Sequence, residues 1–106
     1  MINLNKDAKT VNMLPGLTRK TLAQGQSMMI CEFTFEAHVE IPVHSHPHEQ
    51  VGYVAKGRVE MTIDGKKYEL CKGDSYSAPS NVPHGALTLE PTVIIDTFCP
   101  PREDYQ

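Results

Sequence analysis

The stretch "HSHPHEQ", His44 to Gln50, packs three imidazoles, a carboxylate and a carboxamide into seven residues. Neutral imidazole is the commonest protein ligand for transition metals, and histidines two apart can share one ion. If the chain stays extended, His44, His46, His48 and Gln50 fall on one side. Fully stretched, that row spans about 20 Å, far more than bonds of about 2.0–2.1 Å to imidazole nitrogen can gather. Pro47 offers a way out, because it biases His46 towards an extended conformation and invites a turn just after it. Gln50 then returns on the next strand, opposite His44 and His46, with His48 and Glu49 in the turn. On this reading His44, His46 and Gln50 are candidate ligands. His84, in "NVPHG", is the other histidine flanked by turn residues and the candidate for a fourth.

A competing reading treats the stretch as a solvated polar loop, which is the commoner fate of an isolated HxH. Parity also opposes the metal. Val39, Ile41 and Val43 form an apolar face that would send His44 and His46 to the other side of the strand. A bulge at Pro42 would re-aim them. The zincin arrangement is excluded, since His48-Glu49 would need a histidine where Gly52 stands, and no GxSxG, Walker loop or GxGxxG occurs.

The elements that must position these residues are strands. "MICEFTF" alternates Met29, Cys31, Phe33 and Phe35 against Glu32, Thr34 and Glu36, and "VEMTI" sets Val59, Met61 and Ile63 inward. Lys56-Gly57 and Asp64-Gly65 punctuate the middle, the latter a strong hairpin signal. "ALTLE" and "TVIIDTF" follow, and Pro100-Pro101 ends the last strand. No ten-residue stretch holds a helical period. Short strands with Gly/Pro punctuation predict an all-β sandwich or barrel, and 106 residues make room for one domain, with residues 1–15 as an N-terminal arm or edge strand.

A net charge of −3 gives no basic field for nucleic acid or an anionic membrane, and no apolar run reaches the length of a membrane span. The start, "MINLNKDAKT", does not resemble a signal peptide. Cys31, Cys71 and Cys99 are odd in number and in no metal-clip spacing, so they read as reduced thiols of a cytoplasmic protein.

"PVHSHPHEQVGYVAKG" resembles the first cupin motif, HxHxxxE followed after six residues by Gly, here His44, His46, Gln50 and Gly57. "GDSYSAPSNVPH" resembles the second, G-x5-P-x-G-x2-H, here Gly73, Pro79, Asn81 and His84. Gln50 stands for the usual Glu, Asn81 for the usual Gly, His38 for the glycine that commonly opens the first motif, and Thr88 for an Asn. The resemblance implies a cupin fold, a double-stranded β-helix or jelly-roll barrel. With the tail "IIDTFCPPREDYQ", the chain is similar from about Gly16 onward to the KdgF-type cupins of pectin and alginate catabolism, which convert 4,5-unsaturated uronate monosaccharides to linear ketouronates. That similarity implies His44, His46, Gln50 and His84 as metal ligands. It implies Asp96 and Arg102 as catalytic residues, with Phe98 and Arg102 contacting the substrate.

Taken alone, these residues leave choices. Asp96 lies on the face of Ile94 and Phe98, where a carboxylate either caps a barrel edge or does chemistry; such a site tends to raise its pKa. Phe98 is core or a platform for a sugar, and Arg102 is a solvated tail charge or a fork for a carboxylate. Three imidazoles and a carboxamide would leave the charge of one divalent transition metal (Zn, Ni, Fe, Mn or Co) uncompensated, so the site should draw an anion, which the resemblance implies is a small anionic sugar acid. Another metal-dependent cupin (an oxygenase or isomerase on a small acid), a non-catalytic binding or sensor cupin, and a structural or storage cupin are the alternatives. An exposed strand edge and the apolar "SMMICEF" segment suit a homodimer.

Overall fold

The computed structural model describes residues 1–106, which form ten strands and two 3-10 turns, Asn5–Asp7 and Glu103–Tyr105. The strands are β1 (Thr10–Leu14), β2 (Leu17–Gln24), β3 (Met29–Phe35), β4 (Glu40–His44), β5 (Glu49–Lys56), β6 (Arg58–Ile63), β7 (Lys66–Cys71), β8 (Ser75–Ala78), β9 (His84–Thr88) and β10 (Thr92–Cys99). They build a six-stranded sheet in the order β1-β2-β3-β10-β5-β8 and a four-stranded sheet in the order β4-β9-β6-β7. Every pairing is antiparallel. This is the all-β cupin barrel that strand periodicity and the two motifs predict, and no helix is long and apolar enough to cross a membrane.

Period-two alternation decides what lies between the sheets. Met29, Cys31, Phe33 and Phe35 of β3, Val54 of β5, Val59 and Met61 of β6, and Ile94 and Phe98 of β10 are all buried in one cluster. The apolar face of "SMMICEF" is therefore spent in the barrel's own core, and of that segment only Met28 is a large exposed hydrophobic residue. Asp64-Gly65 closes the β6–β7 hairpin with both residues at positive φ, +50° and +78°. Gly57 carries the chain from one sheet to the other at φ +90°, and an added Cβ there would overlap the Pro91 carbonyl. His38 and Asn81, the two departures from motif glycine, also sit at positive φ, +62° and +64°, conformations that these residue types tolerate better than most.

Two details of the loop differ from expectation. Val43 is not on the inward face: it is 59% exposed, while Val39 is buried. The cause is a bulge. On β4 the register advances from Ile41 to His44 while β9 advances only from Ala86 to His84, so one extra residue around Pro42 and Val43 flips the parity. Glu49 opens β5 instead of lying in the turn, and β5 joins the six-stranded sheet. Gln50 thus approaches His44 and His46 from the opposing sheet, not from a neighbouring strand.

Candidate metal and acid–base site

His44, re-aimed by the bulge, ends β4 directly opposite His84, the first residue of β9. His46 hangs between the sheets from the loop that Pro47 bends. Ring centroids are 4.5 Å apart for His44–His84, 4.8 Å for His46–His84 and 5.6 Å for His44–His46. Each imidazole is oriented by its own backbone: Nδ1 lies 2.9 Å from the Pro42 carbonyl in His44, 3.0 Å from that of His48 in His46, and 2.9 Å from that of Val82 in His84. A carbonyl can only accept, so Nδ1 carries the proton and Nε2 keeps its lone pair. Burial lowers the pKa of His46 and His84, with the charge of Arg102 adding to the effect, which keeps both rings neutral. The ligand atoms of the three histidines lie within 4.8 Å of one another, and His84 Nε2 is buried without a hydrogen-bond partner. An orphaned buried lone pair costs stability unless something accepts it.

Gln50 completes the polar group from the other sheet. Its Nε2 donates to Tyr76 Oη at 2.8 Å and to Asp96 Oδ2 at 3.0 Å, and Tyr76 Oη donates to Asp96 Oδ1. With both amide hydrogens so used, Oε1 must face the histidines, and it sits 3.1 Å from His46 Nε2. Two lone pairs directed at each other at that distance call for a cation between or beside them. The donor set, neutral imidazole nitrogens and a carboxamide oxygen, fits a divalent transition metal.

Asp96 is 5% exposed, and its two oxygens have only Gln50 and Tyr76 for partners. Burial pushes its carboxyl up, the two hydrogen bonds pull it down, and the balance leaves it at about 7. Burial and the neighbouring carboxylate push the Tyr76 phenol well above its ordinary value, so it stays a donor. The row Tyr76–Gly52–Asp96 runs straight across β8, β5 and β10. A Cβ at Gly52 would overlap both Asp96 Oδ1 and the Tyr76 ring, so this glycine is what lets the two side chains meet. Phe98 is 1% exposed, with its ring 6.1 Å from His46, and Arg102 Cζ lies 5.4 Å from its centroid. One cavity touches His44, Gln50, His84, Asp96, Phe98 and Arg102 together, with apolar walls from β2, β3 and β6. All seven residues singled out in the sequence therefore lie around one space, His46 included through its contacts to Gln50 and His84.

Residues 31–98 match the family described as the Cupin domain. The pectin degradation protein KdgF of Dickeya dadantii is 40% identical over 93 residues, which are 85% of this chain and 84% of that protein. The chain belongs to the KdgF cupins. The solved structure of KdgF from Halomonas sp. superposes on this cupin with a TM-score of 0.95 at 33% identity, covering 100% of this chain and 98% of that one. An RmlC-like cupin from Shewanella frigidimarina does so with a TM-score of 0.95 at 33% identity, over 99% and 95% of the two chains.

Sequence reasoning about this KdgF cupin missed Tyr76 and Gly52. Tyr76 sits in "SYSA", where nothing sets it apart from an ordinary strand tyrosine. Gly52, inside the strand "QVGYVA", did carry a signal, because an interior strand glycine often marks a close approach.

Proposed function

We propose that this cupin catalyses the metal-dependent conversion of 4,5-unsaturated uronate monosaccharides, as released in pectin or alginate breakdown, to linear ketouronates, acting in the cytoplasm. The observation that carries the proposal is the junction at Gln50. One carboxamide faces the three imidazoles with its oxygen and the buried Asp96 with its nitrogen, beside a cavity that Arg102 also enters. Its likeness to a pectin degradation protein supports that substrate class.

His44, His46, His84 and Gln50 would hold a divalent ion, whose chemistry there is that of a Lewis acid near an anionic substrate. Arg102 binds the sugar carboxylate, the natural partner of a guanidinium fork. Phe98 backs that guanidinium and forms the apolar wall against the ring. Asp96 manages the proton. The substrate is an enol ether with its double bond between C4 and C5. A proton arrives at C4, water adds to C5 and loses its own proton, and the hemiketal opens by breaking the bond from C5 to the ring oxygen, leaving a ketone at C5 and a hydrated aldehyde at C1 that releases one water. A carboxyl poised at about 7 can both give and take a proton near neutrality, as this sequence of transfers requires. Gln50 and Tyr76 direct both carboxyl oxygens.

The substitution Asp96→Asn tests the assignment. It should retain stoichiometric metal and a folded barrel while turnover falls by roughly 10²-fold or more, the usual worth of a general acid–base group. Full activity in a metal-loaded Asp96→Asn protein would remove Asp96 from the mechanism.

A further inference from the structure

The proposed mechanism uses Arg102 but not the 3-10 turn that follows it. That turn is fastened to β2: Thr21 Oγ1 donates to the Tyr105 carbonyl at 2.7 Å, and Arg19 Nη1 to the Asp104 carbonyl at 3.4 Å. The Tyr105 ring packs edge-on against Phe33 and Phe98, with centroids 5.9 and 5.6 Å away, and it borders the same cavity as Asp96, His84 and Arg102. Two guanidinium groups contact this one ring. Arg102 Cζ is 4.2 Å from its centroid and Arg19 Cζ 4.4 Å. Arg19 is 8% exposed, and its Nε has no hydrogen-bond partner. A buried cation is costly unless compensated, and the ring face and the Asp104 carbonyl are what compensate it here.

Arg102 is held from a third direction. Its Nε donates to Asp104 Oδ1 at 3.2 Å and its Nη2 to Oδ2 at 3.0 Å, a two-pronged pair. That pair commits the inner edge of the guanidinium, Tyr105 takes its face, and the terminal edge formed by Nη1 and the second Nη2 hydrogen makes no hydrogen bond within the chain. A planar group with five donors would otherwise swing on a flexible stem.

We propose that Tyr105 and Asp104 are positioning residues for Arg102, presenting its terminal edge to the substrate carboxylate, with Arg19 fastening the turn to the barrel. This rests on the uronate reading of the site, so the test separates binding from turnover. The probe is galacturonate, a saturated uronate that cannot undergo the reaction, compared with its methyl ester, which has no charge for Arg102 to meet. Titration calorimetry on metal-loaded wild type should show the acid binding more tightly than the ester. Tyr105→Phe, which keeps the ring, should bind the acid as wild type does. Tyr105→Leu should bind it about tenfold more weakly, within what a partly buried cation–π contact is worth, and leave the ester unchanged. Asp104→Asn should weaken the acid by a smaller factor.

Equal weakening of acid and ester by Tyr105→Leu, or none, would overturn the role of Tyr105. Tighter acid binding in Asp104→Asn would make Asp104 a competing anion and overturn its part. A wild type that binds the acid selectively but does not open the unsaturated sugar would sink the proposed reaction while leaving this inference intact. A wild type with no preference for the acid would end both.

Discussion

At the scale of single residues the site depends on a carboxylate that is almost wholly buried at the edge of the cavity. Asp96 ionises at about 7 because burial outweighs two hydrogen bonds. The sign of the linkage follows directly. The folded chain binds the Asp96 proton more tightly than the unfolded chain does, so this group's contribution is fully present at low pH and is lost as pH rises to about 7. Asp96→Asn removes that loss. In chelated protein, the variant should melt above wild type at about pH 8, with the gap closing towards about pH 4, as thermal denaturation across that range would show. A variant melting below wild type throughout would mean that the hydrogen bonds to Asp96 outweigh its desolvation. Asp96 was legible in the sequence because a carboxylate interrupts an apolar strand face. Tyr76 was not, since its partners come from β5 and β10 and no local pattern marks them.

At the scale of elements, two irregularities aim the chemistry. The β4 bulge reverses the parity that Val39, Ile41 and Val43 imply and swings His44 onto His84. Strand alternation in β3, β6 and β10 was legible in full, because each side chain there simply follows the pleat. The bulge was legible only as an option at Pro42, because its selection depends on β9, forty residues further along the chain. Gly52 is the second irregularity, the gap through which Tyr76 reaches Asp96. Gly52→Ala should destabilise the barrel by about 1–3 kcal/mol through overpacking and displace one of those two side chains. Urea unfolding would measure the first effect. An alanine variant with unchanged midpoint and unchanged turnover would show that Asp96 and Tyr76 have room to spare.

For the molecule as a whole, the site ties the two sheets together. His44 and His84 belong to the four-stranded sheet, whereas Gln50 and Asp96 belong to the six-stranded one. An ion bound across them stabilises only the folded chain. At a free concentration of 100 times Kd the gain is about 2.7 kcal/mol, visible as a rise in Tm. His84→Ala should abolish that rise and lower stoichiometric metal binding, since it removes the ligand atom that lies buried without a partner. A rise undiminished in His84→Ala would point to metal held elsewhere. Both cupin motifs were legible despite the departures at His38, Gln50 and Asn81, which is why the barrel and the histidine cluster could be expected together. The turn after Arg102 was not, because its role depends on Arg19, far away in sequence on β2.

The most direct measurement is an ultraviolet assay on a 4,5-unsaturated uronate monosaccharide, whose conjugated double bond absorbs until it is hydrated and the ring opens. Metal-loaded protein, chelated protein and a blank for spontaneous opening would be followed side by side. The expected result is loss of absorbance well above the blank with the loaded protein, falling to the blank on chelation and returning when metal is restored. Loaded protein that never exceeds the blank would contradict the assignment of this barrel to uronate opening.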